Sequence, residues 1–286
     1  VCATRIEPPL HPDNGEKIIR EFGMWPEKDV EDGWLEDDFD KYVEEAKVEF
    51  KDKTTNGCFA PWMMYKDEFL AMGGHDPRFA SAREDSDVFN RLVLGGFELI
   101  QSWQSFVYHL TARGGQFQHG KLTKDHSQKS EEWQKLMNNS TREFFRKWGT
   151  GVQHDDLMMP RVSPKYNIGF IVKNCSYQVL HTLEPWCSKI YHDLGFKEEL
   201  KYIKEEQPNS LIDIDSRVLT IQCEKNNDIL VEFDGSKLTN ENFKFLIALP
   251  DIIQDSGELG EMELDIFKII ISSLKTYEKE LIKCDV

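Results

Sequence analysis

Apolar positions fall into two rhythms along this chain, one near 3.6 residues and one near 2, and the alternation between them marks out the elements. In "WLEDDFDKYVEEAKVEF" Leu35, Phe39, Tyr42, Val43 and Ala46 stand at helical spacing, so an amphipathic helix with an acidic outer face is expected. "GCFAPWMMY" reads as an apolar, strand-like run broken by Pro61. Lys66 then begins a short helix, "KDEFLAMGG", which Gly73 and Gly74 stop. "HDPRFASARED" is a loop, "SDVFNRLVLGG" is again a helix ending on two glycines, and "FELIQSWQSFVYHLT" supplies one or two strands. A further helical stretch, "SEEWQKLMNNSTREFFRKW", closes the first half.

Composition shifts at "GTGVQHDDLMMPRVSPK", where glycines, prolines and polar residues cluster, and a domain boundary is expected there. Residues 1–160 form one domain and 161–286 a second. In the second, strand-like "YNIGFIVKN", "LIDIDSRVLTIQ", "DILVEFDG" and "EMELDIFKIII" alternate with helical "YQVLHTLEPWCSKIYHDL", "NENFKFLIALPDII" and "SLKTYEKELI". That pattern predicts a small α+β layer domain of unassigned role. No repeat at a fixed period is visible.

Composition narrows the function classes. With 286 residues, 40% of them hydrophobic and 12% aromatic, the chain has the material for real cores rather than disorder. A net charge of -16 repels a phosphate backbone, which argues against nucleic acid as a partner. The cysteines (Cys2, Cys58, Cys175, Cys187, Cys223, Cys284) are scattered without a C-x-x-C pair, so reduced thiols in a cytoplasmic protein are expected rather than a zinc or redox motif. The longest apolar stretches, "FLIAL" and "IFKIII", fall far short of the roughly 20 residues that span a bilayer, and no signal peptide is recognisable.

The chemistry concentrates at Glu84, Asp85 and Asp87, three carboxylates at the head of a helix. Two readings stand side by side. Carboxylates there cap orphan N–H groups and complement the helix dipole. A carboxylate fixed at a loop-to-helix junction, open on one side to a cleft, also serves as a general base. The two are compatible, because the helix end keeps the carboxylate ionised and aims it. A lone histidine on a strand, such as His109, is ordinarily a core residue, and Trp62 in "APWMM" reads equally as a buried strand tryptophan or as a ring that stacks on a sugar face.

The run from Gly57 to Ile100 resembles the second half of the catalytic domain in GT-A glycosyltransferases of the family-two kind. There, "F-x-x-x-G-G-x-D" leads through a loop to an "E-D" pair opening a helix "D-x-x-x-R-L-x-x-x-G"; here these are Phe69, Gly73, Gly74 and Asp76, then Glu84 and Asp85, then Asp87, Arg91, Leu92 and Gly95. The resemblance covers roughly positions 1 to 150. It implies an α/β fold: the C-terminal, acceptor-side half of a GT-A nucleotide-diphospho-sugar transferase domain, followed by the small α+β domain.

The resemblance further implies transfer of a sugar from a nucleotide-diphosphate donor to a hydroxyl of a glycan or other acceptor, with inversion. Asp85 would be the base and Glu84 would orient it or bind the acceptor. Trp62, Gly74, Asp76, Asp87 and Arg113 would contact substrate. His109 would ligate a divalent ion, Mn2+ or Mg2+, on the donor diphosphate, with Arg113 neutralising phosphate charge. His119 and His126, in the loop that follows, are weaker candidates, and His75 reads as a turn residue.

The donor half of the family pattern is not found. "EDDFD" contains D-x-D (Asp38 to Asp40) only as a string inside an amphipathic helix, where a solvated face is the reading. "VCATRIEPP" instead resembles the strand that follows D-x-D in the family. The missing N-terminal half of the domain is therefore expected upstream of Val1, and this stretch alone is expected to be an inactive fragment. The alternative from another class is a non-catalytic glycan- or protein-binding module on a degenerate GT-A scaffold. A phosphohydrolase would need further clustered ligands that the sequence does not offer.

Overall fold

The computed structural model describes residues 1–9, 12–23, 35–79, 82–109 and 131–284. The chain divides into two compact units that interleave along the sequence. The first comprises Val1–Gly74, Val88–Leu136 and Gln153–Arg161; the second comprises His75–Asp87, Met137–Val152 and Val162–Val286. The last changeover lies between Arg161 and Val162. Two earlier segments, which periodicity could not assign, also belong to the second unit.

The first unit is built on a mixed four-stranded sheet. Its strands are β1 (Cys2–Glu7), β2 (Ile18–Ile19), β3 (Thr54–Asn56) and β4 (Ile100–Tyr108), in the order β2-β1-β4-β3. β1 runs parallel to both β2 and β4, and β3 closes the edge antiparallel to β4. Between Ala3 and Thr4 the pairing with β4 slips from Ser102 to Phe106, so a bulge in β4 sets the register in which β1 and β4 end together.

Helix α1 (Glu36–Glu49) forms where periodicity placed it. A 14-residue helix is marginal alone, and the apolar stripe supplies what it lacks. Phe39 and Tyr42 meet Phe22 at ring distances of 5.4 and 5.5 Å, Tyr108 meets Phe22 at 5.8 Å, and Ala46 is fully buried. Leu35 lies outside the stripe, about half exposed at the residue preceding the helix. Helix α2 (Lys66–Ala71) ends before Gly73 and Gly74, both at positive φ, as expected. Helix α3 (Glu84–Leu94) follows, and its first turn belongs to the second unit.

"GCFAPWMMY" is not a strand: β3 ends at Asn56, and only an isolated bridge joins Trp62 to Cys2. Pro61 has no N–H to give to a ladder, which outweighs the apolar composition of the run.

Helix α4 (Glu131–Trp148) leads into the second unit, whose sheet contains β5 (Ile168–Lys173), β6 (Lys189–His192), β7 (Val218–Thr220), β8 (Ile229–Asp234), β9 (Gly260–Leu264) and β10 (Phe267–Ile271). Their order is β7-β6-β5-β8-β10-β9. β5 to β8 are mutually parallel and the β9–β10 hairpin adds antiparallel to β8. The strand and helix alternation therefore gives a sheet with parallel crossovers, an α/β arrangement rather than the segregated layers of an α+β domain. Helices α5 (Tyr177–Leu183), α6 (Phe196–Glu206) and α7 (Asn240–Ser256) share one core with the sheet, where Leu180, Leu183, Tyr202, Leu246 and Leu249 pack with Phe170, Val172, Val231 and Ile269.

Two helical expectations are corrected here. "YQVLHTLEPWCSKIYHDL" is split: α5 stops at Leu183, a single 3-10 turn carries Pro185, and "KIYH" is β6, buried in the sheet. The proline ends the helix, and the apolar period beyond it serves the parallel ladder. "SLKTYEKELI" contributes only a 3-10 turn at Glu278–Leu281. "EMELDIFKIII" is two strands folded back at Asp265, whose φ of 53° is the left-handed conformation that the turn uses.

Candidate functional site

The junction before α3 is unusual in its backbone. Ala82 and Arg83 both have φ of 69°, left-handed conformations that neither side chain favours, and the Arg83 carbonyl accepts the Asp87 N–H at 2.9 Å to close the first turn. On that turn Asp85 is half-buried, and its Oδ1 accepts the Ser86 N–H at 2.6 Å. Glu84 has its Oε2 buried without a hydrogen-bond partner among the described residues. The E-D pair thus sits on a strained corner, with one carboxylate half-exposed and its neighbour holding an unsatisfied oxygen.

Asp87 and Asp76 are brought together. Both are buried, and the Lys147 ammonium lies 2.6 Å from Asp87 and 2.7 Å from Asp76. Trp148 Nε1–H donates to Asp87 Oδ1 at 2.9 Å, and the Arg78 N–H donates to Asp76 at 3.0 Å. Burial alone would raise the Asp76 pKa; Lys147 and Arg78 outweigh it and hold the carboxyl below its usual value. Among the described residues, Asp76, Asp87 and Cys284 form a group whose ligand atoms lie within 4.8 Å of one another. Lys147 Nζ is in reach of all three, at 3.8 Å from Cys284 Sγ, so an ammonium already supplies the positive charge that a metal ion would.

In the first unit, Arg91 explains the spacing of the glycine pair. Its guanidinium donates to the Met72 carbonyl at 2.9 Å and to the Gly74 carbonyl at 2.5 Å, pinning the turn that ends α2 to α3. Gly74 therefore enters through its backbone. Trp62 is half-buried, with its ring 5.8 Å from those of both Phe69 and Phe89.

His109 directly follows β4, where its N–H donates to the Ile6 carbonyl of β1 at 2.9 Å. Its Nδ1 lies 2.8 Å from Glu7 Oε1. Glu7 forms, with Arg5, Glu16 and Lys17, a buried charge cluster that sequence reading did not single out. Arg5 donates to Glu7 at 2.8 Å and to Glu16 at 2.7 Å, and Lys17 stands 3.4 Å from each carboxylate. Arg5 also lies 3.7 Å over the Phe59 ring. Burial would raise the Glu7 carboxyl; the His109 hydrogen bond, Arg5 and Lys17 outweigh that and hold it at about 2. The available signal was the alternation in "TRIE", which places Arg5 and Glu7 on one face of β1. Arg113, His119 and His126 lie outside the described residues. Asp38 and Asp40 are exposed on α1, as a solvated face requires.

The second unit holds its own charge network. Glu184, fully buried, is met by Arg146 at 2.6 Å and Arg217 at 2.6 Å and accepts from Tyr202 Oη–H at 3.0 Å; Arg142 and Arg146 each reach Glu206 at 2.6 Å. Arg146 also pairs with Glu143 at 2.7 Å, giving three guanidiniums against three carboxylates. Such a balanced set fits a structural core. An open cleft of about 460 Å³ lies at the carboxyl ends of β5 and β8, lined by Lys173, Lys237 and Lys268 with Glu232, Asp234 and Asp265.

The six cysteines are thiols rather than disulfides, and among the described residues no helix is long and apolar enough to cross a membrane. No protein-family model, curated protein or solved structure matches the chain.

Proposed function

We propose that the chain is the acceptor-side part of an inverting glycosyltransferase of GT-A type, with Asp85 as general base. One observation carries the reading: two successive left-handed residues, Ala82 and Arg83, set a half-exposed carboxylate on the first turn of α3. Strain of this kind costs of order 1–3 kcal/mol per residue and concentrates where function needs a fixed side chain. Capping alone would be met without it, by an ordinary N-cap serine or aspartate.

In this mechanism the Asp85 carboxylate accepts the proton of an acceptor hydroxyl as that oxygen bonds to the anomeric carbon. The nucleoside diphosphate departs with the electron pair of the broken C–O bond, and the centre inverts. Glu84, whose Oε2 has no hydrogen-bond partner among the described residues, receives a second hydroxyl of the acceptor or steadies Asp85. Trp62 and Arg113 are proposed as substrate contacts on the resemblance alone. Asp76 and Asp87 shape the corner from within through Lys147.

A divalent ion, Mn2+ or Mg2+, would neutralise the leaving diphosphate. The donor chemistry of His109 suits it, since a carboxylate at Nδ1 is the usual companion of a ligating imidazole.

The test is Asp85→Asn in the full-length protein, assayed for transfer from nucleoside diphosphate sugars. Loss of the base is expected to lower turnover at least about a hundredfold with an unchanged melting temperature. Turnover above about a tenth of wild type would remove Asp85 from the base role. Retained glycan affinity with no transfer by the wild type would favour the non-catalytic binding module.

A further inference from the structure

We propose that Cys2 and Cys58 are a redox-active pair, which a peroxide closes into a disulfide that ties β1 to the run following β3. Both lie within the first unit, and the inference is independent of the role given to Asp85.

The course of the chain brings the two sulfurs together. Asn56 of β3 pairs with Ile100 of β4, the Gly57 N–H donates to the Leu99 carbonyl at 2.9 Å, and by Trp62 the chain has passed beyond β4 to form an antiparallel bridge with Cys2 of β1. Gly57 permits this crossing. Its φ is 118°, and a Cβ there would collide with the Leu157 carbonyl. The Cys2 sulfur nests against the start of the crossing: as a thiol it donates to the Gly57 carbonyl at 3.8 Å, and it accepts from the Cys58 thiol and the Phe59 N–H. Three successive residues, 57 to 59, thus surround one sulfur, and the middle one carries the other.

The surroundings also select the reacting sulfur and the oxidant. The Cys58 hydrogen bond outweighs burial and, with the Phe59 N–H, holds the Cys2 thiol below its ordinary pKa. The thiolate is the nucleophile, so Cys2 attacks first. Cys175 and Cys187 contrast with it, since burial pushes both up to about 12. Cys2 and Cys58 are buried, which favours an oxidant little larger than water, such as hydrogen peroxide, over a bulky disulfide.

The chemistry takes two steps. The Cys2 thiolate attacks one peroxide oxygen and the O–O bond breaks; Cys2 becomes a sulfenic acid, and the departing hydroxide takes up the proton that Cys2 gave to solvent. The Cys58 sulfur then attacks the Cys2 sulfur, the S–O bond breaks, and hydroxide leaves with the Cys58 proton as a second water. The thiols lose two electrons and the peroxide gains them. The new bond reinforces two backbone hydrogen bonds, Ala3 N–H to the Pro61 carbonyl at 3.2 Å and Met63 N–H to the Val1 carbonyl at 2.8 Å, and so fixes the segment that carries Trp62.

The experiment exposes full-length protein to graded hydrogen peroxide, blocks the remaining thiols with iodoacetamide in urea, and maps unreduced peptides by mass spectrometry. A Cys2–Cys58 linked peptide is expected, lost after dithiothreitol, while Cys175 and Cys187 remain alkylatable. Cys58→Ser keeps a hydroxyl donor beside Cys2 but no second sulfur, so Cys2 should accumulate there as a sulfenic acid that dimedone traps. An unmodified Cys2 in that folded variant would overturn its place as the attacking sulfur. Cys2 and Cys58 both still alkylatable in the wild type, at a dose that oxidises the exposed Met63, would overturn the proposal, as would a disulfide joining Cys2 to any other cysteine. The wild-type map decides this even if Cys58→Ser fails to fold.

Discussion

The Lys147 ammonium stands 2.6 Å from the Asp87 carboxylate, with the lysine 4% and the aspartate 0% exposed. Asp76 shares the same ammonium at 2.7 Å. Lys147→Met would remove the ammonium that the two buried carboxylates share, with the Arg78 guanidinium left 3.7 Å from Asp76. Breaking a buried pair in this way costs about 3–5 kcal/mol. Urea unfolding should show that loss as a lower midpoint at unchanged slope; a midpoint equal to wild type would mean that solvent reaches the pair.

Asp85 and Asp87 are expected to separate cleanly in a stability comparison. Asp87→Asn removes one of the two carboxylates that pair with Lys147 and should lower the melting temperature by several degrees, about 2 °C or more per kcal/mol for a unit of this size. Asp85→Asn should not, because its side chain is half-buried and, among the described residues, its hydrogen bonds reach Ser86 alone. Differential scanning calorimetry distinguishes the two, and equal losses would show that the E-D pair is structural.

Acid should weaken the second unit through Glu184. Burial pushes this carboxyl up, while Arg217 and then Arg146 outweigh it and hold it at about 2 against an ordinary 4.5. A depressed folded-state pKa means that the unfolded chain binds more protons between those values. The stabilisation is therefore complete above about pH 4.5 and is lost as pH falls toward 2. Glu184→Gln should be less stable at pH 7, with a flatter decline below pH 4.5, measurable by tryptophan fluorescence in urea at each pH. A mutant curve parallel to wild type would contradict the assignment.

The charge network also changes what an independent fragment requires. A piece starting at Lys165 contains the whole six-stranded sheet, yet it lacks Arg142 and Arg146 of α4, which pair with Glu184 and Glu206. Residues 137–286 should unfold cooperatively and at a higher urea midpoint than residues 165–286, since the shorter piece leaves a buried Glu206 without either arginine. Equal midpoints would show that water replaces both guanidiniums at little cost.

By itself, the sequence determined the elements whose signal is local. The stripe of Phe39, Tyr42 and Ala46 made α1 legible because a helix needs one apolar face, and Gly73 and Gly74 made the end of α2 legible because few other residues adopt positive φ. The E-D corner was legible as an acidic helix start. Its two left-handed residues were not, because nothing in "SARED" demands them. Pro61 and Pro185 overruled apolar runs that periodicity alone had extended.

What only the tertiary structure decided were the partners of the charges. Glu7 and His109 are 102 positions apart and meet because a three-residue bulge lets β1 and β4 end together. Nothing local in the sequence joins Asp76, Asp87 and Lys147 until α4 brings one cation between two carboxylates. Hydrophobic burial is encoded as a pattern along the chain. The pairing of buried charges depends on which strand ends and helix faces coincide in space, and no local window contains that information.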